Sequence, residues 1–157
     1  MLTIKATTPV WRVAALATLV AAVATELFGL AARALDVPMK AGNFAADHAE
    51  DIFVGAFAFS TILYGAIGTI VAVVLARKVQ HPAQTWVILA GLGTLVSLIF
   101  PLTTTDDTTT ATQVMLVVSH LIAAAVIIPP VAKRLSLVPA ARASSAGTAA
   151  GPEVATS

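Results

Sequence analysis

The sequence predicts an all-α fold, a bundle of four transmembrane helices. Hydrophobic residues make up 58% of the 157 residues and charged residues only 11%, whereas a soluble domain has about 25% charged residues. The apolar residues lie in four continuous runs rather than in alternating or amphipathic patterns, which indicates helices that face lipid. Each run approaches or exceeds the roughly 20 residues that cross a bilayer core.

The four runs set the domain organisation. We place the spans at about residues 13–34, 52–76, 85–102 and 111–131. Together they form one membrane domain, residues 1–137, because the length leaves no room for a second unit. Pro129 and Pro130 should end or kink the fourth span, since neither ring can donate a helical hydrogen bond. The Ala-, Ser- and Gly-rich segment 138–157 should be a disordered cytoplasmic tail.

Charge is segregated between alternate loops, and this predicts the orientation of the chain. Basic residues occupy the N-terminus, the second loop and the C-terminal segment: Lys5, Arg12, Arg77, Lys78, Lys133, Arg134 and Arg142. Acidic residues concentrate in the first and third loops: Asp36, Asp47, Glu50, Asp51, Asp106 and Asp107. By the positive-inside rule, both termini should lie in the cytoplasm. We expect the protein in the plasma (inner) membrane.

A cleavable signal peptide is the alternative interpretation of the first span. Basic residues, an apolar run and the small-residue sequence Ala32-Arg33-Ala34 follow one another as they do in such peptides. The apolar core of a signal peptide is roughly 7–15 residues long, however, and this run is longer. We therefore favour a retained first helix.

Glu26 is the one carboxylate inside a long apolar run, and His120 interrupts the fourth run at a similar calculated depth. Tyr64 and Thr94 fall near the same level of the second and third spans, so each helix contributes one polar side chain to a layer near the midplane. Ionisable groups in hydrocarbon usually face the bundle interior and are functional candidates. We therefore predict a ligand or proton site at Glu26, His120, Tyr64 and Thr94, with Glu26 and His120 in contact.

The alternative for the same residues is a structural one. Glu26 hydrogen-bonded to His120 and Tyr64 would fasten the helices, a contribution of about 0.6–2 kcal/mol per bond. Small residues at four-residue spacing, such as Thr61 and Gly65, would let the helices approach closely.

An acidic cluster precedes the second span. If that helix begins early, Asp47, Glu50 and Asp51 share one face at i, i+3 and i+4, beside His48. Such groups can coordinate a divalent cation or act as general acid and base. The spacing matches no defined metal motif, and acids also favour helix N-termini. We therefore expect no metal ion and no other cofactor, and keep these four residues as the candidate ligands if a metal binds.

The chain combines four spans, an acidic first external loop, and a last span with the basic residues that end it, SHLIAAAVIIPPVAKRL. In these three features it resembles a family of uncharacterised actinobacterial membrane proteins. The resemblance covers about Trp11 to Leu135 and implies a four-helix fold and a plasma-membrane location, but no activity and no site residues. Glu26 alone is also similar to the membrane-embedded glutamate in the first helix of small multidrug-resistance transporters. The longer first external loop and the added tail depart from that pattern.

Three functional hypotheses remain open. The first, which the sequence favours, is a small-molecule-binding or proton-coupled membrane protein that uses Glu26 and His120. The second is a non-catalytic accessory or structural membrane subunit, and the third is a membrane enzyme that uses the external cluster. The sequence favours a non-catalytic protein over an enzyme. Its partners should be the lipid bilayer and a second copy or a larger membrane complex, with no nucleic acid.

The orientation can be tested by labelling single cysteines, since the chain has none of its own. Cysteines at Asn43 and Thr105 should react with an impermeant thiol reagent added to intact cells. Cysteines at Gln80 and Ser145 should react only after the cells are opened. Labelling of Gln80→Cys in intact cells would contradict the orientation inferred from charge.

Overall fold

The computed structural model describes residues 7–42, 48–103 and 107–139. Its elements, in chain order, are α1 (Val10–Ala34), β1 (Lys40–Ala41), β2 (Glu50–Asp51), α2 (Ala56–Lys78), α3 (Pro82–Ser97), α4 (Ile99–Leu102) and α5 (Thr110–Ser136). Four helices are long and apolar enough to cross a membrane, with α3 and α4 counting as one span from Pro82 to Leu102. The predicted four-helix membrane fold is confirmed.

The four spanning helices alternate in direction, so the bundle has two distinct ends. We call the end with the start of α1 and the α2–α3 turn the basic end, because it carries Arg12, Arg77 and Lys78. The opposite end, with β1 and β2, is called the acidic end. Which side of the membrane each end occupies stays a prediction.

α1 is the central helix of the bundle. It packs along both α2 and α5, whereas α3 packs along α5 and touches α2 only over a short contact. In the most apolar window of each helix, 39% of residues are buried in α1 and 11% in the Pro82–Leu102 span. Cleavage after Ala34, the signal-peptide alternative, would remove the helix that joins the other two.

α1 and α2 approach each other closely because glycines lie on the contact face. A Cβ atom added at Gly65 would lie 2.3 Å from Cγ2 of Thr18, and one added at Gly29 would lie 2.6 Å from the Phe57 ring. Neither glycine has room for a side chain. Small residues permit this kind of close packing between membrane helices, so the predicted small-residue face around Gly65 is the actual α1–α2 contact.

α2 begins at Ala56 and not near Ile52 as predicted. Ile52 instead continues the short antiparallel pairing of β1 and β2, and its N–H donates to the Met39 carbonyl over 2.7 Å. Gly55 then turns the chain into the helix with φ +97°. The helical face proposed for Asp47, Glu50 and Asp51 is therefore wrong for Glu50 and Asp51, which lie in β2, and Asp47 lies outside the described residues.

α5 continues through Pro129 and Pro130 to Ser136, so the prolines do not end the span. Proline removes hydrogen bonds from a helix, but neighbouring helices in a membrane bundle can supply others. The carbonyls that lose their helical donors to the prolines are those of Ala125 and Val126. Nearby, the indole N–H of Trp86 donates to the carbonyl of Ile128 over 3.3 Å and so joins α3 to this part of α5. Beyond the helix, Val138 is buried with the basic-end core, so packing reaches one residue into the predicted tail, whose residues 140–157 are not described.

The turn before α2 generates a prediction about Gly55. Nothing lies within 4 Å of a Cβ added there, so Gly55→Ala should create no clash. It should nevertheless lower the free energy of unfolding by about 1–2 kcal/mol, because an L-residue is disfavoured at positive φ. Unfolding in mild detergent, followed by circular dichroism, measures the change.

Gly93→Ala is the matched control, because Gly93 also has open space around it but lies inside α3. Alanine is favoured over glycine in a helix by roughly 0.5–1 kcal/mol, so this variant should be neutral or stabilised. Equal effects at both positions would contradict a conformational requirement at Gly55.

Candidate functional site

Glu26 of α1 binds the start of α2. One carboxylate oxygen accepts from the backbone N–H of Gly55 over 2.7 Å, and the other accepts from the N–H of Ala58 over 3.1 Å. The carboxylate is half-buried between the two helices. A side chain from one span thus caps the N-terminus of the next.

The sequence around Gly55 explains why this cap comes from another helix. The first N–H groups of any α-helix have no partner within the helix, and a serine, threonine or aspartate at the N-cap usually accepts one of them. The N-cap of α2 is Gly55, which has no side chain, and no local side chain caps this helix. Since an unpaired amide in hydrocarbon is costly, the carboxylate of Glu26 fills the missing role.

The charge of Glu26 matches the site that it occupies. A helix N-terminus carries partial positive charge, which favours an anionic group there. Hydrogen bonds from N–H groups to a carboxylate are shorter and roughly twice as strong as those between neutral groups. Both carboxylate oxygens thus act as hydrogen-bond acceptors at this helix terminus.

A threonine pair continues the α1–α2 contact directly beside the cap. The hydroxyl oxygens of Thr25 and Thr61 are 3.1 Å apart, and the Thr25 hydroxyl also donates to the Ala22 carbonyl of its own helix. A hydroxyl has a single proton, so Thr61 donates to Thr25. Side chains thus join α1 and α2 at two successive levels.

His120 bonds to its own helix. Its Nδ1 lies 2.7 Å from the Leu116 carbonyl, and because a carbonyl can only accept, Nδ1 carries the proton. In the neutral ring Nε2 is then an acceptor. Within the part of the chain that the structure describes, Glu26 and His120 share no hydrogen bond or ion pair, so the predicted direct contact between them is not found.

Among the described residues, Tyr64 and Thr94 form no hydrogen bond with Glu26 either. Tyr64 is 69% exposed on the outer face of α2, so its side chain does not join Glu26 in a site inside the bundle. Thr94 donates to the Ala90 carbonyl of its own helix over 2.8 Å, a common way to satisfy a hydroxyl within a helix.

The rise per residue of the two helices puts Thr94 and His120 at about the same level of the antiparallel α3–α5 pair. Trp86 reaches Ile128 across this antiparallel pair. Thr94 follows Trp86 by eight residues and His120 precedes Ile128 by eight, which is about 12 Å along each helix in the same direction. Two members of the predicted polar layer are thus level on neighbouring helices.

The acidic cluster is divided into separate pairs. His48 lies 3.9 Å from Asp107 and Asp51 lies 3.8 Å from Lys40, and all four side chains are largely exposed. Glu50 is exposed in β2. In residues 7–42, 48–103 and 107–139, no three histidine or acidic side chains are grouped as metal ligands would be.

The acidic end contains two attachments that the sequence analysis missed. Arg33, at the end of α1, donates to the carbonyl of Ile52, and the Thr112 hydroxyl of α5 donates to the carbonyl of Pro38. Both acceptors belong to the first long loop, which is thereby fixed to α1 and α5. Backbone acceptors leave no trace in the sequence, and only the position of Arg33 in the last turn of an apolar helix was a usable signal.

Residues 5–137 match a family of unknown function, DUF6069. The chain belongs to this family. No curated protein and no solved structure matches it. Membership agrees with the predicted uncharacterised family and assigns no activity. The Glu26 cap is therefore the most specific feature of the spans.

Substitutions at Glu26 should reveal the cap through stability. Glu26→Ala leaves the Gly55 and Ala58 amides without their acceptor, and a buried polar group that loses its partner costs about 1–3 kcal/mol. Glu26→Gln keeps one acceptor oxygen and should cost less than the alanine change. Unfolding in mild detergent ranks the three proteins.

Glu50→Gln is the matched control, because Glu50 is exposed and has no comparable bond to a helix terminus. It should leave stability within about 0.5 kcal/mol of the wild type. An alanine variant of Glu26 as stable as this control would show that the amides of α2 do not need the carboxylate.

Proposed function

We propose that the protein is a non-catalytic accessory or structural subunit of the plasma membrane. The observation that supports this proposal is the use of both Glu26 oxygens by backbone amides of α2. A carboxylate that acts on a ligand or a proton must be available to it. Here its release would cost two charge-assisted hydrogen bonds at a helix terminus.

Three hydroxyls elsewhere in the spans support the same proposal. Hydroxyls of Thr69, Thr94 and Ser119 donate to carbonyls of their own helices. Such bonds satisfy side chains in lipid without creating a site. The interior is therefore built for packing between helices, which is what a structural subunit requires.

A partner within the membrane is part of this proposal. The Pro82–Leu102 span is the least buried of the four, and large apolar side chains such as Leu92, Leu95 and Val96 are exposed on it. A second copy of the chain or a larger membrane complex would cover this helix. The acidic end would face outward and both termini the cytoplasm, as the charge distribution predicts.

A small-molecule-binding or proton-coupled protein is the second candidate function. The level placement of Thr94 and His120 favours it, because the Nε2 atom of a neutral His120 is an acceptor. α2 and α3 contact each other over a much shorter length than α1 contacts α2 or α5. The α2–α3 side of the bundle is therefore the less tightly packed side. In this case His120, rather than Glu26, would be the residue that binds the ligand or proton.

Proton flux into reconstituted vesicles separates the accessory role from a proton-coupled one. Vesicles that contain the protein and an internal pH-sensitive dye receive an imposed pH gradient and a potassium diffusion potential. An accessory subunit should give the same flux as protein-free vesicles, for the wild type and for Glu26→Gln and His120→Ala alike. Each variant is first shown to unfold cooperatively, so that loss of fold is not mistaken for loss of function.

A wild-type flux above the protein-free level would contradict the accessory role. If His120→Ala abolished that flux while Glu26→Gln retained it, the second candidate would replace the first. Glu50→Gln serves as the control for a carboxylate outside the spans.

A further inference from the structure

Four exposed cations surround the basic end of the bundle. Arg12 lies in the first turn of α1, Arg77 and Lys78 end α2, and Lys133 lies in the last turn of α5. All four side chains are exposed. None of them forms an ion pair with a residue that the structure describes.

Their charge is not compensated at this end. The described carboxylates other than Glu26 all lie at the acidic end, namely Asp36, Glu50, Asp51 and Asp107. Arg134 differs from the four cations, because it is buried and donates to the Thr8 carbonyl. One basic side chain at this end therefore serves the fold, and four are left facing outward.

The four cationic side chains lie at the depth expected for lipid headgroups. Each one belongs to a terminal turn of a spanning helix, where the charged tip of a long side chain extends to the membrane interface. Trp11 is 52% exposed, as interfacial tryptophans often are, and the Arg12 guanidinium lies 5.3 Å from the centre of its ring. Arg12 and Trp11 thus form one interfacial unit.

We propose that this ring of cations selects anionic phospholipids in the leaflet that the basic end faces. The negatively charged headgroup supplies the counter-charge that the described residues lack at this end. A soluble polyanion or an acidic protein domain would need cations on extended loops, whereas the α2–α3 turn has only the three residues Val79, Gln80 and His81 between its helices. Each cation near an anionic membrane surface strengthens association roughly five-fold.

Trp11 offers a direct readout of the lipid beside Arg12. Trp86, the other tryptophan, is 4% exposed and is shielded from lipid. The full-length protein is reconstituted in mixed phosphatidylcholine and phosphatidylglycerol bilayers, with bromine near the glycerol end of the acyl chains of one lipid at a time. Bromine quenches indole fluorescence on contact, so the ratio of the two quenching strengths reports which lipid contacts Trp11.

At equal mole fractions, brominated phosphatidylglycerol should quench Trp11 about three- to five-fold more effectively than brominated phosphatidylcholine. Arg12→Gln should bring the ratio close to one, and so should high salt. Lys40→Gln, which removes an exposed cation at the acidic end, should leave the wild-type ratio unchanged.

A second measurement covers the cations that lie away from Trp11. Native mass spectrometry counts the phosphatidylglycerol molecules retained on the purified protein, and the Arg77→Gln/Lys78→Gln/Lys133→Gln variant should retain fewer than the wild type. Equal quenching by the two lipids in the wild type would overturn the proposal, as would a preference that survives Arg12→Gln. Equal quenching would redirect the search to a soluble acidic partner, and a preference that survives Arg12→Gln would show that Arg12 does not select the lipid.

Discussion

The start of α2 imposes the requirement on which the bundle depends. The first backbone amides of α2 need hydrogen-bond acceptors, and the N-cap residue, Gly55, has no side chain that could supply one. Little water reaches a helix that faces lipid, so water does not replace the missing acceptor. Glu26 supplies both acceptor atoms from α1. The carboxylate is tolerated among apolar residues because the helix terminus offers it two donors and a favourable dipole, so two groups that are each costly alone satisfy one another.

This pairing fixes how α1 and α2 lie against each other. The Glu26 bonds, the Thr25–Thr61 contact and the Gly29–Phe57 contact all lie on the α1–α2 interface near the acidic end. Glu26 can reach the Gly55 amide only if the two backbones are close. The small residues on the contact face and the carboxylate therefore have one structural purpose, and a larger residue at Gly29 would also disturb the cap.

The sequence predicted the spans well and the contacts of Glu26 poorly, for a physical reason. Hydropathy is a local property, so the four helices could be placed to within a few residues. The partners of Glu26 are backbone amides 29 and 32 positions away, and an amide has no residue type that a pattern could reveal. Tyr64 was assigned by depth alone, and its outward orientation depends on which face of α2 meets α1. His120 and Thr94 stay candidates for the second proposed function.

The order of synthesis suits this arrangement. The chain emerges from its N-terminus, and segments associate as they appear, so Glu26 enters the membrane before the amides that it caps. Glu26 and Thr25 then have their hydrogen-bond partners before α5 arrives to pack on α1. α3 makes only a short contact with α2, so it gains its main neighbour only when α5, the last helix in the chain, is in place. The span that contains α3 is also the least buried of the four, which leaves its apolar side chains exposed to lipid or to a partner.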